Sequence, residues 1–274
     1  MVKQVLSKLC IYLLLSLGAV LMLVPFVWML VTSFKSPGDV MIMPPQWIPN
    51  PFQWWNYVTA WQSAPFPRYL LNSVIVTGLG TIGELVTTIL AAYAFSNLKF
   101  FGRDILFALL LGTMMVPGEV LMIPNFVTIA NLGWVDTYPG LIVPWCASIF
   151  SIFLLRQFFL SIPKELEYAA RVDGCRDFRY LTAIMLPMVK PALVTIIILK
   201  VIGSWNDFLW PLIATNSDKM RTLPVGLTAF STETGIHYEL LMAASTMIIL
   251  PMVVLFLILQ KYVINGVARV GIKG

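Results

Sequence analysis

Charged side chains are scarce in this 274-residue chain. Asp, Glu, Lys and Arg make up 11% of it against 59% hydrophobic residues, and the mean hydropathy is +0.85. So little charge excludes a globular domain with a water-facing surface and implies a polytopic membrane protein. The one histidine, His237, has no partner at ligand spacing, and Cys10, Cys146 and Cys175 have neither metal-ligand nor disulfide spacing. HExxH, GxSxG and a plausible carboxylate pair are all missing, so no catalytic residue and no metal site is expected. GxxxxGK[ST] is also missing, so the chain has no phosphate-cradling loop and binds no cofactor of its own. Any ATP-driven step belongs to another subunit. Internal repeats, low-complexity tracts and a separate soluble domain are not visible.

What is present is a series of long apolar runs. Six are long enough to cross a bilayer, which takes roughly 20 residues: 9–34, 69–95, 105–123, 139–160, 192–213 and 240–264. They must be helices, because an open strand edge would leave backbone groups unpaired in hydrocarbon. The first run is too long for a signal-peptide core and no small-residue cleavage site follows it, so it is expected to stay. Pro25, Pro117, Pro144 and Pro251 fall in or near the ends of runs and should kink them. Gly78, Gly80 and Gly83 spell GxGxxG by chance. They lie within an apolar run, so they suit close helix packing and not a dinucleotide.

Lys and Arg set the orientation. One side would hold positions 3, 8, 99, 103, 156, 164, 171, 176, 179, 190, 261, 269 and 273; the other holds only 35, 68, 219 and 221. Positive loops stay inside, which puts both termini and the loop 163–191 in the cytoplasm. The same scatter argues for sorting across a membrane and against nucleic-acid binding. The first outer loop, 35–68, carries Trp47, Trp54, Trp55, Tyr57 and Trp61. An interfacial aromatic belt is the simpler reading, stacking on sugar rings the bolder one.

Ionisable residues at membrane depth are costly, so Glu84, Lys200 and Asp207 are functional candidates. Lys200 and Asp207 are seven residues apart, about two helical turns, and share a face roughly 10 Å apart along the axis. Lys200 either neutralises a buried acid such as Glu84 or faces a cavity that takes an anionic group. Trp205, Asn206 and Asp207 could line a solute path, or else serve the helix end and the interface.

The stretch 163–191 is the one long segment unsuited to lipid. Ser161 and Pro163 suit a helix start, and Asp173-Gly174 suits a helix end, with Gly174 left-handed. A second short helix is expected over 177–185, stopped by Pro187. Ala169 and Ala170 offer a low surface for another protein's backbone.

Glu167, Ala169, Ala170, Asp173, Gly174, Ile184, Leu186 and Pro187 resemble the cytoplasmic EAA loop of bacterial ABC-importer permeases. The resemblance implies an all-α membrane protein: six transmembrane helices with a coupling-helix loop between the fourth and fifth, in a single transmembrane domain over 1–274. It implies coupling to an ATPase through Glu167, Ala169, Ala170, Asp173, Gly174, Leu186 and Pro187. Tyr168 stands where the family has Glu, so Glu167 is the candidate for a charge contact. The implied partners are a dimer of ATP-binding-cassette subunits holding ATP and Mg, a second homologous permease, an extracytoplasmic solute-binding protein and membrane lipid. The setting is the bacterial inner membrane. The run from Ser204 to Pro211 resembles a pathway segment of the sugar-importing branch. Leu223-Pro224-Val225-Gly226 is similar to the segment those permeases turn to the binding protein. The expected function is import of a sugar or oligosaccharide by alternating access. The competing class is an ion-coupled secondary transporter, which would need no coupling loop.

Overall fold

The computed structural model describes the backbone of residues 2–232 and 235–270 and the side chains of 7–231, 235–258 and 260. Among these residues the regular structure is helical apart from one two-residue antiparallel pair, β1 (Ser231–Thr232) and β2 (Gly235–Ile236). It divides into two compact units, Met1–Phe66 with Gly226–Val253, and Pro67–Val225 with Val254–Gly274.

In the first unit, α1 (Val2–Ser33) runs unbroken through Pro25. Its apolar face is bare, as lipid contact allows: Leu9, Leu14 and Met22 are all exposed. The 34–57 segment folds back on the end of α1. Asn56 donates its amide to the carbonyls of Ser33 and Lys35 at 2.9 and 2.8 Å, satisfying helix-end acceptors that lack an internal donor. Phe34 packs against Phe52, Trp54 and Tyr57, while Trp61 stacks on Phe66 and Phe66 on Phe230. Many aromatics of this loop therefore hold it to its own unit. Helix α2 is Trp55–Gln62.

The second unit begins its helices with α3 (Phe66–Asn97), an unbroken span. The expected third span is not a straight crossing: α4 (Arg103–Thr113) and the segment Gly118–Asn131, which contains α5 (Met122–Asn131), meet at 94° around Pro117. The fourth is also broken, with α6 (Tyr138–Ile142) leading through a 3-10 turn to α7 (Ile149–Leu160) and a 45° bend past Pro144. Pro removes one N–H donor, and here the chain bends where it stands.

After α7 come α8 (Lys164–Val172), α9 (Asp177–Tyr180), a π turn (Leu181–Met185), α10 (Leu186–Met188) and α11 (Lys190–Trp205). Pro187 does not stop the second short helix, contrary to expectation. The wider π turn just before it keeps the proline ring off the preceding carbonyls, and the chain bends by 81° only past Met188. The expected fifth span, 192–213, is likewise interrupted. It ends at Trp205, and α12 (Leu209–Ala214) is a separate short helix, followed by α13 (Leu223–Gly226). The last helix, α14 (Tyr238–Val270), carries Pro251 without a break. Among the described residues three helices are thus long and apolar enough to cross a membrane alone, and up to six spans result if each bent pair counts as one. The cytoplasmic placement of both termini leans on Lys3, Lys261, Arg269 and Lys273, whose side chains lie outside the described residues.

Candidate functional site

Two of the three charged residues expected at membrane depth meet. Lys200 Nζ on α11 lies 3.0 Å from Glu84 Oε2 on α3. Each partner has a second bond. Ser151 on α7 donates its hydroxyl to Glu84 Oε1 at 2.8 Å, and Lys200 donates to the Trp145 carbonyl at 2.8 Å. That carbonyl is free to accept because the helix breaks there, so its usual donor four residues on is missing. The break past Pro144 therefore supplies one leg of the network. Gly83 supplies the close approach: a Cβ added there would stand 2.6 Å from Cys146 Sγ. Gly80 has room, with Lys200 Cε at 3.8 Å, and Gly78 meets nothing within 4 Å. Of the three glycines only Gly83 has the close-packing role expected of all of them.

The pair forms one wall of a cavity of about 650 Å³. Asn206, Asp207, Ser204 and Ser148 add polar groups, and Trp145, Phe150 and Trp210 add aromatic surface. Asn206 and Asp207 also serve the helix ends. Asn206 donates its side-chain amide to the Ile202 carbonyl at 3.0 Å, and Asp207 Oδ1 accepts the Trp210 N–H at 3.4 Å. Asn206 and Asp207 thus line the cavity and serve the helix ends at once. Trp205 does not line the cavity; it is buried, and Trp210 takes the place expected for it, its indole N–H bonded to the Gly140 carbonyl at 3.2 Å. Lys200 forms no ion pair with Asp207 among the described residues. Sequence reasoning missed Glu119, which lines the cavity. The signal was available, since an acid inside the apolar run 105–123 is as costly as Glu84.

The segment after α7 forms an elbow. Helix α8 ends in a Schellman motif, with Cys175 N–H donating to the Ala170 carbonyl at 2.8 Å and Gly174 N–H to Arg171 at 3.1 Å. Gly174 has the expected positive φ, +72°. Glu167 is held within the helix, 2.8 Å from Arg171, which also approaches Asp177 at 3.6 Å. Ala170 is not an open surface for a partner: it is buried in the chain's own core with Tyr180, Met185, Val189, Ala192 and Ile196. Ala169 stays exposed, as do Tyr168, Val172 and Phe178. Leu186 packs on that core and Pro187 is exposed.

The residues 223–226 are also turned inward. Leu223 and Val225 are buried, and Leu223 N–H donates to Ser73 Oγ at 2.8 Å, so this segment offers no surface to a binding protein. The neighbouring Asp218 and Lys219 are exposed. Nearby, Asp136 adopts a positive φ of 61° and accepts from Asn216 N–H, Ser217 N–H and Ser217 Oγ at 3.0, 3.0 and 2.7 Å.

Residues 84–269 match the family model described as binding-protein-dependent transport system inner membrane component. The chain belongs to this family. The match begins at Glu84 and takes in the cavity's α11 wall and the whole elbow. Among relatives of this permease, arabinooligosaccharides transport system permease protein AraQ of Bacillus subtilis is 40% identical over 76% of this chain and 74% of its own. Trehalose/maltose transport system permease protein MalG of Thermococcus litoralis is 35% identical over 95% and 96%. Among solved structures, a bacterial ABC transporter involved in the import of the acidic polysaccharide alginate has a chain with TM-score 0.83 and 26% identity, covering 94% of this permease and 96% of that chain. The alginate transporter in complex with alginate pentasaccharide-bound periplasmic protein matches at TM-score 0.68 and 16% identity over 93% and 94%, a likeness of fold.

Proposed function

We propose that this permease forms half of the membrane pathway of an ATP-driven importer of a sugar or oligosaccharide. The observation that carries this reading is the path of α11. One end packs with Ala170 of the elbow through Ala192 and Ile196; the other brings Lys200 and Ser204 to the cavity. A helix of 16 residues is a rod of about 24 Å. A push on the elbow is thereby passed to the cavity wall. The elbow's exposed Ala169 and Val172 form the face for the ATPase dimer, which holds the ATP and Mg. Glu167, Ala170, Asp173, Gly174, Leu186 and Pro187 shape and anchor that face. A second homologous permease completes the pathway. An extracytoplasmic binding protein delivers solute on the side of Asp218 and Lys219. The elbow and both termini face the cytoplasm, in keeping with the Lys and Arg distribution. The ion-coupled alternative offers no account of an anchored elbow and is set aside with the family membership.

The cavity favours a neutral solute. Lys200 is neutralised by Glu84, which leaves the carboxylates of Glu119 and Asp207 without a second cation among the described lining residues. Hydroxyl-rich faces suit the Asn, Ser and Trp surface, whereas an acidic sugar meets like charge. Of the two roles open to Lys200, geometry supports the neutralising one. The test is uptake of labelled neutral and acidic saccharides by vesicles carrying the reconstituted importer without an ion gradient. Uptake should require ATP and favour neutral sugars. ATP-independent accumulation would overturn the transport class, and preference for acidic sugars would overturn the solute assignment alone.

A further inference from the structure

A second cavity, of about 480 Å³, lies where the turn between α3 and α4 meets α8. Lys99, Arg103, Lys164 and Arg171 line it, and Glu167 is its only acid among the described lining residues. Arg171 already holds Glu167. Arg103 is paired with Asp104, but that carboxylate is 74% exposed and lies outside the lining. Lys99 and Lys164 have no carboxylate partner in the cavity. The lining keeps a net positive charge, which attracts an anion.

The turn itself indicates which anion. Gly102, at φ +76°, reverses the chain, and the two residues before it are Phe100 and Phe101. Phe101 is wholly exposed and Phe100 is 42% exposed. Phe100 leans on Phe95 and Phe101 is left bare, and an exposed phenyl ring beside lysine and arginine suits the acyl boundary of a membrane surface. A soluble anion would need no such rings.

We propose that this cavity binds the phosphate headgroup of an acidic membrane phospholipid, with Phe100 and Phe101 resting in the acyl boundary beside it. Basic hollows at the cytoplasmic ends of spans suit such headgroups. The assignment rests on the cytoplasmic orientation proposed for the elbow. The lipid leaves the ATPase face clear. At 100° per residue, Lys164, Glu167, Tyr168 and Arg171 fall on one arc of α8, and Glu165, Ala169 and Val172 lie about a third of a turn away. A headgroup held between the α3–α4 turn and α8 fixes the elbow to the end of α3, so membrane composition tunes coupling.

The experiment is native mass spectrometry of the importer released from nanodiscs of phosphatidylcholine alone or mixed with phosphatidylglycerol. The wild type should retain phosphatidylglycerol in preference to phosphatidylcholine. Lys99→Gln/Lys164→Gln changes two exposed side chains and should weaken retention roughly fivefold per cation removed. Arg103→Lys, which keeps the charge, should retain the lipid. Equal retention of the two lipids, or retention unchanged in the double variant, overturns the proposal. Inorganic phosphate that displaces the lipid completely would show a soluble-anion site and overturn it as well. Orientation is checked separately by thiol labelling of Cys175 in intact cells and inverted vesicles, so failure of the parent reading would be seen on its own.

Discussion

The cavity and the elbow each contain an acid–base pair at hydrogen-bond distance, and the closer pair is the more exposed one. Arg171 and Glu167 stand 2.8 Å apart with side chains 58% and 21% exposed; Lys200 and Glu84 stand 3.0 Å apart with 14% and 7% exposed. Water screens the first pair, and little of its Coulomb energy survives. The second has lost its water and depends on Ser151, the Trp145 carbonyl and the opposite charge to replace it. Distance does not rank such pairs; the solvent they have given up does. The elbow pair can therefore open and re-form during a transport cycle, while the cavity pair acts as a fixed joint between α3 and α11.

The largest effect is expected from Lys200→Met, which leaves Glu84 buried without a counter-charge. Stability should fall by about 3–5 kcal/mol, read from the unfolding midpoint of the purified importer in detergent. Adding Glu84→Gln should restore most of the loss. Equal losses in single and double variants would mean that the joint is not electrostatic.

Gly83→Ala tests the approach that makes the joint possible. It should cost about 1–3 kcal/mol, because Cys146 must move, and Cys146→Ala in the same chain should relieve it. Gly80→Ala, with open space, is the control.

Asp136 is a third kind of site, a carboxylate held by hydrogen bonds. Burial alone would raise its pKa, but the bonds from Ser217 and Asn216, with the Arg221 charge, hold it below the ordinary Asp value. Its stabilisation is therefore complete above that ordinary value, near 3.8, and is lost as pH falls through the lower folded one. Asp136→Asn tolerates the same positive φ and should cost about 1–2 kcal/mol at neutral pH. The difference from wild type should vanish in acid, and a difference constant with pH would remove the charge from the explanation.

The smallest stability effect belongs to Glu167→Gln, which should leave the unfolding midpoint where it was. ATP-driven uptake should nevertheless fall, because the pair sets the shape of the elbow. A shifted midpoint with normal uptake would reverse the comparison between the two pairs.

Much of the second unit was legible from residue types. Isolated ions in apolar runs pointed to Glu84 and Lys200 because lipid leaves such groups few alternatives to each other. Gly174 was legible because a helix stop of this kind favours a residue without a Cβ. The exits from helices were harder. Pro187 reads as a stop, yet a π turn absorbs it, and that choice depends on Leu181 and Met185 being buried in the core. Ala170 reads as a low outer surface, yet tertiary packing turns it inward. Trp205 and Trp210 are alike in composition, and only the break after α11 decides which of them meets the cavity.

By itself the sequence determined the number of apolar runs, their helical state and the polar elbow, because hydrocarbon forbids unpaired backbone and penalises charge whatever the neighbours are. The tertiary structure decided where spans bend, which carbonyls are left free for Lys200, and which faces of α8 and α11 look inward. Those outcomes depend on side chains distant in sequence arriving at one place, and no local pattern records that.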